Sequence, residues 1–209
     1  MKENNLVIDL QYLPPIEYFF TIAEYTHVYF DLTERYQKQS YRNRCRILMS
    51  NKIMDLTIPI EKGNKKPVIQ HAKIDYKEKW HLTHWRSLQT AYGKSPFFEY
   101  YSFYFEKILA KKHEKLVDLN IELINLICKL LQIESSLHLI TKSEDFPDSF
   151  DDFRSKIHPK KESSNANFSA SPYQQVFGEK FVKNLSTVDL IFCEGTNSSE
   201  VLRKSILQM

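Results

Sequence analysis

The chain has 209 residues, 42% hydrophobic and 13% aromatic, enough to bury one sizeable core; its net charge of +3 is too small to imply wholesale nucleic-acid binding. It holds only four glycines and neither a GxGxxG nor a GxxxxGK[ST] pattern, which excludes the common Gly-rich nucleotide loops. Cys45, Cys128 and Cys193 are odd in number and widely spaced, so reduced thiols are expected, and no apolar run reaches the roughly 18 residues of a membrane span.

Leu6 to Leu10 alternates as a strand does, and Pro14-Pro15 stops it, because proline supplies no amide to a ladder. Ile16, Phe19, Phe20 and Ala23 then recur at helical spacing behind Pro15, which suits a helix start, and Thr26 to Leu32 is rich in the β-branched and aromatic residues of strands. Strand, helix, strand predicts a parallel pair with a right-handed crossover. Arg46 to Ser50 and Ile53 to Ile60 flank Asn51-Lys52 as a hairpin would, and Val68 to Asp75 offers a further strand. Asp75 with Glu78 fits a capping box for a helix reaching Tyr92, which Gly93-Lys94-Ser95-Pro96 breaks. Phe97 to Lys112 makes an aromatic-rich helix. Leucines and isoleucines from Leu116 to Leu131 repeat at helical spacing, placing a core helix over 114–133 with a strand over 137–141 after it. Residues 143–171 change to Ser, Asp, Lys, Asn and Pro, and are read as a long, mobile surface excursion. Ser186 with Asp189 can cap a short helix from Thr187 to Cys193 that Gly195 ends, and Ser198 can start a last one. The expected fold is α/β: a mixed sheet with flanking helices, an N-terminal strand-helix-strand unit and a helical second half, all in one domain over 1–209.

The stretches YLPPIEYF (12–19), YQKQSYRNRCRI (36–47), LTIPIEK (56–62), HWRSLQTAYGKSPFFEYY (84–101) and YQQVFGEKFVKNLSTVDLIFCEG (173–195) together resemble the WbqC-like protein family, the last of them a subgroup seen in Bacteroidetes-like bacteria. The resemblance implies work in cell-surface polysaccharide (O-antigen-type) biosynthesis, plausibly the modification of a sugar or amino sugar on a nucleotide carrier by a transferase. It brings no catalytic residue set. Gln11 is followed directly by Tyr12, where many members carry a Gln-Pro pair.

Function is therefore read from residue chemistry. Lys38, Arg42, Arg44 and Arg46 crowd around Tyr41 and Asn43, and planar guanidiniums with a point charge suit the phosphates of an anionic ligand such as a sugar nucleotide. The same residues serve equally as an ion-pair network with Glu17, Asp31 and Glu34, or as a face for an acidic partner protein or RNA in a non-catalytic scaffold. His84 is the candidate general base, beside Arg86, with Glu34 or Asp31 orienting a substrate amine. Lys94 and Ser95 offer an anion site at a helix start. HLTHW lacks the Glu of HExxH, so no metal is expected, and nothing names a cofactor. A sugar nucleotide is the expected partner, nucleic acid is disfavoured, and the location expected is the cytoplasm.

Overall fold

The structure, a computed structural model, describes residues 4–61, 66–161, 163 and 165–205. It opens with β1 (Asn5–Ile8), α1 (Ile16–Ala23) and β2 (His27–Asp31), and β1 pairs with β2 in parallel from Asn5↔His27 to Ile8↔Phe30. Leu6, Ile8, Val28 and Phe30 join Phe19 and Ile22 of α1 in the main core, which is why alternation in the strands and helical spacing in α1 both show in the sequence. Pro15 stands as the helix N-cap with extended backbone and no side-chain capping bond.

The chain then leaves the sheet. β3 (Arg44–Leu48) and β4 (Ile53–Thr57) form an antiparallel hairpin in which Cys45 and Ile47 face inward. The strand expected over Val68 to Asp75 is not formed. Ile69–His71 is a single 3-10 turn, and the backbone bonds of the segment go to scattered partners: Ile69 N–H to Glu34, and Ile74 N–H to Glu114. The segment buries Ile69, Ala72 and Ile74 at irregular spacing and does not pair along its length with one neighbour.

Three helices follow: α2 (Trp80–Tyr92), α3 (Phe98–Ala110) and α4 (Leu116–Leu130). α2 starts five residues after Asp75, whose carboxylate accepts from the Lys77 N–H in a turn, so the expected capping box is absent. α4 buries Leu116, Leu119, Leu123 and Ile127 and returns the chain to β5 (Ser136–Ile140), parallel to β2.

Within the polar stretch over 143–171, several described residues take part in the sheet and the core. The stretch contributes β6 (Asp151–Asp152), parallel to β1, which completes the sheet order β5-β2-β1-β6. Asn165 and Phe168 are buried, and the buried Glu17 of α1 accepts from the Asn165 N–H at 3.0 Å and the Ser163 hydroxyl at 2.9 Å. Polar side chains fasten this segment through hydrogen bonds, which leave no apolar period to read.

α5 (Thr187–Glu194) and α6 (Ser198–Lys204) close the chain. Ser186 caps α5 by accepting from Val188 N–H, but Asp189 turns inward, accepting from the Tyr173 hydroxyl at 2.6 Å and from Gln175 Nε2 at 3.1 Å. Gly195 ends α5 at φ +55, with the Phe97 ring 2.3 Å from where a Cβ would stand. Only glycine satisfies both demands.

Candidate functional site at the carboxyl edge of the parallel sheet

From β1 the chain steps to β2 and then β5 on one side, and only later returns to lay β6 on the other. Strand order reverses between β1 and β6, and the carboxyl ends at such a point open the crevice where parallel sheets bind ligands. The residues just past those ends carry charge. Asp9 follows β1, Asp31 ends β2, and Arg154 and Ser155 follow β6.

Arg42 is the hub. It is 1% exposed, pairs with Glu34 through Nη2, gives a second Nη2 bond to the Ser155 hydroxyl at 3.0 Å, and lies 3.5 Å from Asp9 through Nη1. Asn120 of α4 holds the Arg42 carbonyl at 2.8 Å, fixing the backbone that aims this guanidinium. Asp9 also accepts from the Ser155 N–H at 2.7 Å and from Gln11 Nε2 at 3.0 Å. Arg154 binds Asp31 at 2.8 Å and grips both oxygens of Asp152. Loss of solvent pushes the Glu34 carboxyl up from its ordinary value, against the opposing pull of Arg42.

The segment 33–43, linking β2 to β3, separates this cluster from a cleft of about 780 Å³. Tyr36, Lys38, Gln39, Asn43 and Arg44 line it, with Lys66 and Lys77 as further cations and Asp75 and Glu78 among its acids. Backbone bonds from Tyr36 N–H to Pro67 and from Ile69 N–H to Glu34 tie this wall to the far side of the cleft. Lys160 bonds the Gln39 amide oxygen at 2.9 Å, so the residues after β6 reach the same segment.

The WbqC-like protein family model matches residues 11–157, some 70% of the chain. The chain belongs to the WbqC-like family. The matched span begins at Gln11 and ends at Ile157, and these two are joined by a 3.0 Å bond from Gln11 Nε2 to the Ile157 carbonyl. A protein of Mycobacterium tuberculosis described as uncharacterized is 32% identical over 135 residues, which cover 63% of this chain and 57% of that protein. No solved structure matches. Among the described residues no helix is long and apolar enough to cross a membrane, and no group of three or more His, Cys, Asp or Glu side chains is placed to hold a metal ion.

In this WbqC-like chain the candidate residues separate into distinct surroundings. Lys38, Asn43 and Arg44 line the cleft, whereas Arg42 points to the sheet edge. Arg44 and Arg46 do share one face of β3, but both bind Asp55, at 3.3 and 3.2 Å, the residue directly across the hairpin from Arg46. They are not a free basic face. Asn43 donates to the Ile58 carbonyl at 2.7 Å, and Tyr41 is buried, its hydroxyl pushed up to about 12 chiefly by loss of solvent. Asp31 is 1% exposed and held by Arg154 and Thr33.

His84 is sealed. It is 3% exposed, its Nδ1 accepts from the Tyr12 hydroxyl at 2.9 Å, and it bonds the Thr57 backbone, so the other nitrogen carries the proton. The Trp80 ring stands edge-on, 5.0 Å between centroids. Burial lowers its pKa to about 4, and it bolts α2 to the β1 exit and the hairpin. Arg86 is exposed on α2 and does not line the cleft. Lys94 is exposed, while the Ser95 hydroxyl is spent on the Tyr92 carbonyl at 2.6 Å, closing α2 instead of opening an anion site at α3.

Sequence reasoning passed over Asp9, Gln11, Arg154, Ser155 and Asn120. A charge at the end of the apolar run LVID and an Asn inside a leucine stripe were available signals. Arg154 and Ser155 had none, lying in the segment read as an excursion.

Proposed function

We propose that this protein is a cytoplasmic transferase that modifies a nucleotide-linked sugar during cell-surface polysaccharide assembly, with the nucleotide diphosphate held in the cleft. The observation that carries this reading is the cleft itself: about 780 Å³ is the size of small-molecule sites, and Lys38, Arg44, Lys66 and Lys77 bring four cations to its walls beside the Tyr36 side chain. Cations at those positions suit phosphate oxygens, and Asp75 and Glu78 suit the hydroxyls of a ribose or hexose. Family membership supports the pathway. Glu34, half-buried with its carboxyl shifted upward, takes the proton-accepting role in place of the sealed His84. A panel of uridine and deoxythymidine diphosphate sugars, screened by thermal shift, tests the proposal. A cognate ligand at a hundredfold excess over its Kd raises Tm by about 5–10 °C, and a panel without any shift overturns it.

A second reading, a non-catalytic partner-binding role, has one observation of its own. Tyr100, Phe103 and Tyr104 of α3 are 71%, 63% and 49% exposed on one helix face, beside a groove of about 640 Å³. Phe103→Glu that abolishes a co-purifying partner while sparing nucleotide binding would support it.

A further inference from the structure

Large apolar side chains left in solvent are not scattered evenly over this molecule. Among the described residues six are exposed, and three of them, Tyr100, Phe103 and Tyr104, sit within five residues of α3. A lone exposed apolar residue is ordinary, but a contiguous set on one helix face marks a contact. Spacings of three and four stack the three rings into a ridge, which the exposed Lys107 continues for one more turn.

Beside the ridge runs the groove of about 640 Å³, walled by Tyr101 and Tyr104 of α3 and by Leu126 and Leu130 of α4. Its Phe97 end is fixed in place, since the Phe97 N–H donates to the Phe192 carbonyl at 3.0 Å and the Phe97 ring lies where a Cβ on Gly195 would stand. Charge brackets both features. Glu99 and Glu106, exposed four residues before and three after Phe103, flank the ridge on the side turned away from Tyr101 and the groove. Lys129, exposed on α4, lines the groove from its far side. The order across the face is therefore acid, ridge, groove, cation.

We propose that this face is a homodimer interface, its occupant a second copy of the chain. A two-fold axis running along α3, between ridge and groove, reverses that order in the partner copy. The ridge of each copy then enters the groove of the other, and the Glu99 flank of each meets the Lys129 flank of the other, as an isologous contact requires. A small apolar ligand would fill the groove but leave Phe103 in water, and an anionic membrane surface is repelled by Glu99 and Glu106. A second copy covers the rings and matches the charges. The inference uses the same face as the partner-binding reading but needs no non-catalytic role. It also holds whatever the cleft binds, because the two sites share no lining residue.

Light scattering after size exclusion, with sedimentation velocity over a concentration series, tests it on the full chain. Wild type is expected at twice its 24.9 kDa mass at about 50 µM. Phe103→Glu is expected to weaken the dimer about a hundredfold or more, and Glu99→Lys and Lys129→Glu about tenfold each, while the two charge exchanges together restore it. All three side chains are exposed, so the variants should keep the wild-type circular dichroism and Tm. A wild type that stays monomeric to about 0.2 mM overturns the interface, including one that instead binds anionic vesicles. So does a dimer that persists in folded Phe103→Glu, or a double charge exchange that fails to restore what the single ones lose. If Phe103→Glu does not fold, the charge exchange decides alone.

Discussion

The Tyr12–His84–Thr57 centre and the Asp9–Glu34–Arg42 centre are both reached from the few residues that leave β1, yet they are finished differently. At His84 both ring nitrogens have partners, the Tyr12 hydroxyl and the Thr57 backbone, the ring is neutral, and Trp80 packs against it. Around Arg42 a guanidinium is shared between carboxylates, Glu34 is partly open to solvent, and Gln11 Oε1 and Arg42 Nη1 have no hydrogen bond. Burial is common to both centres; access to solvent, which Glu34 keeps and His84 lacks, is not. A neutral, enclosed imidazole specifies a fold, while a carboxylate held by a shared guanidinium and still open to solvent has chemistry left to offer.

Removing the hub should break the contrast most severely. Arg42→Ala leaves Asp9, 2% exposed, beside Glu34 with no shared cation, and is expected to cost about 3–5 kcal/mol in urea unfolding at neutral pH. The loss should shrink in acid, where protonation of Glu34, whose carboxyl is already shifted upward, lessens the uncompensated charge.

His84 sharpens the other side. Its folded-state pKa of about 4 lies below the ordinary 6.5, so the native state prefers the neutral ring. The contribution is complete above pH 6.5 and is lost as pH falls from there through 4, about 3 kcal/mol in all. Urea unfolding of wild type and His84→Gln at neutral pH and at about pH 4.5 should therefore converge as the pH drops. If His84 were the proton acceptor, His84→Gln would abolish turnover; as a bolt, it lowers Tm and leaves the pH profile of turnover in place.

Gly195→Ala probes the C-terminal cover of the fold, far in sequence from either centre. A positive φ and the Phe97 ring both oppose a Cβ, and a loss of about 1–3 kcal/mol is expected in thermal melts. Smaller still are the cleft and hairpin cations. Lys38→Ala with Lys77→Ala should weaken nucleotide binding about tenfold with little change in Tm, since both side chains are exposed. Arg46→Gln, which loses a partly exposed pair with Asp55, should cost less than about 1 kcal/mol.

What could be read from sequence follows from the same physics. Apolar period gave β1, α1, β2, the hairpin and α4, because each buries one face against a continuous core. Ser155, Ser163 and Asn165 escaped because hydrogen bonds to Glu17, Asp9 and Arg42 hold them, and these leave no period. The basic cluster was visible as composition, but its division was not. Arg44 and Arg46 lie in a strand and share one face, whereas Arg42 precedes the strand and turns inward to Asp9 and Glu34, and to a Ser155 hydroxyl that the chain supplies more than a hundred residues later. His84 looked reactive because a histidine beside Trp85 and Arg86 gives no sign that Tyr12 and Thr57 enclose it.

The most direct test of the account is where a nucleotide sugar lands. Backbone amide shifts, followed as a uridine diphosphate amino sugar is titrated into the labelled protein, should saturate and concentrate in 34–43 and 57–61, on both walls of the cleft, with Ser155 responding across the sheet edge. Shifts that never saturate, or that gather on α3 around Tyr100 and Tyr104, would contradict it.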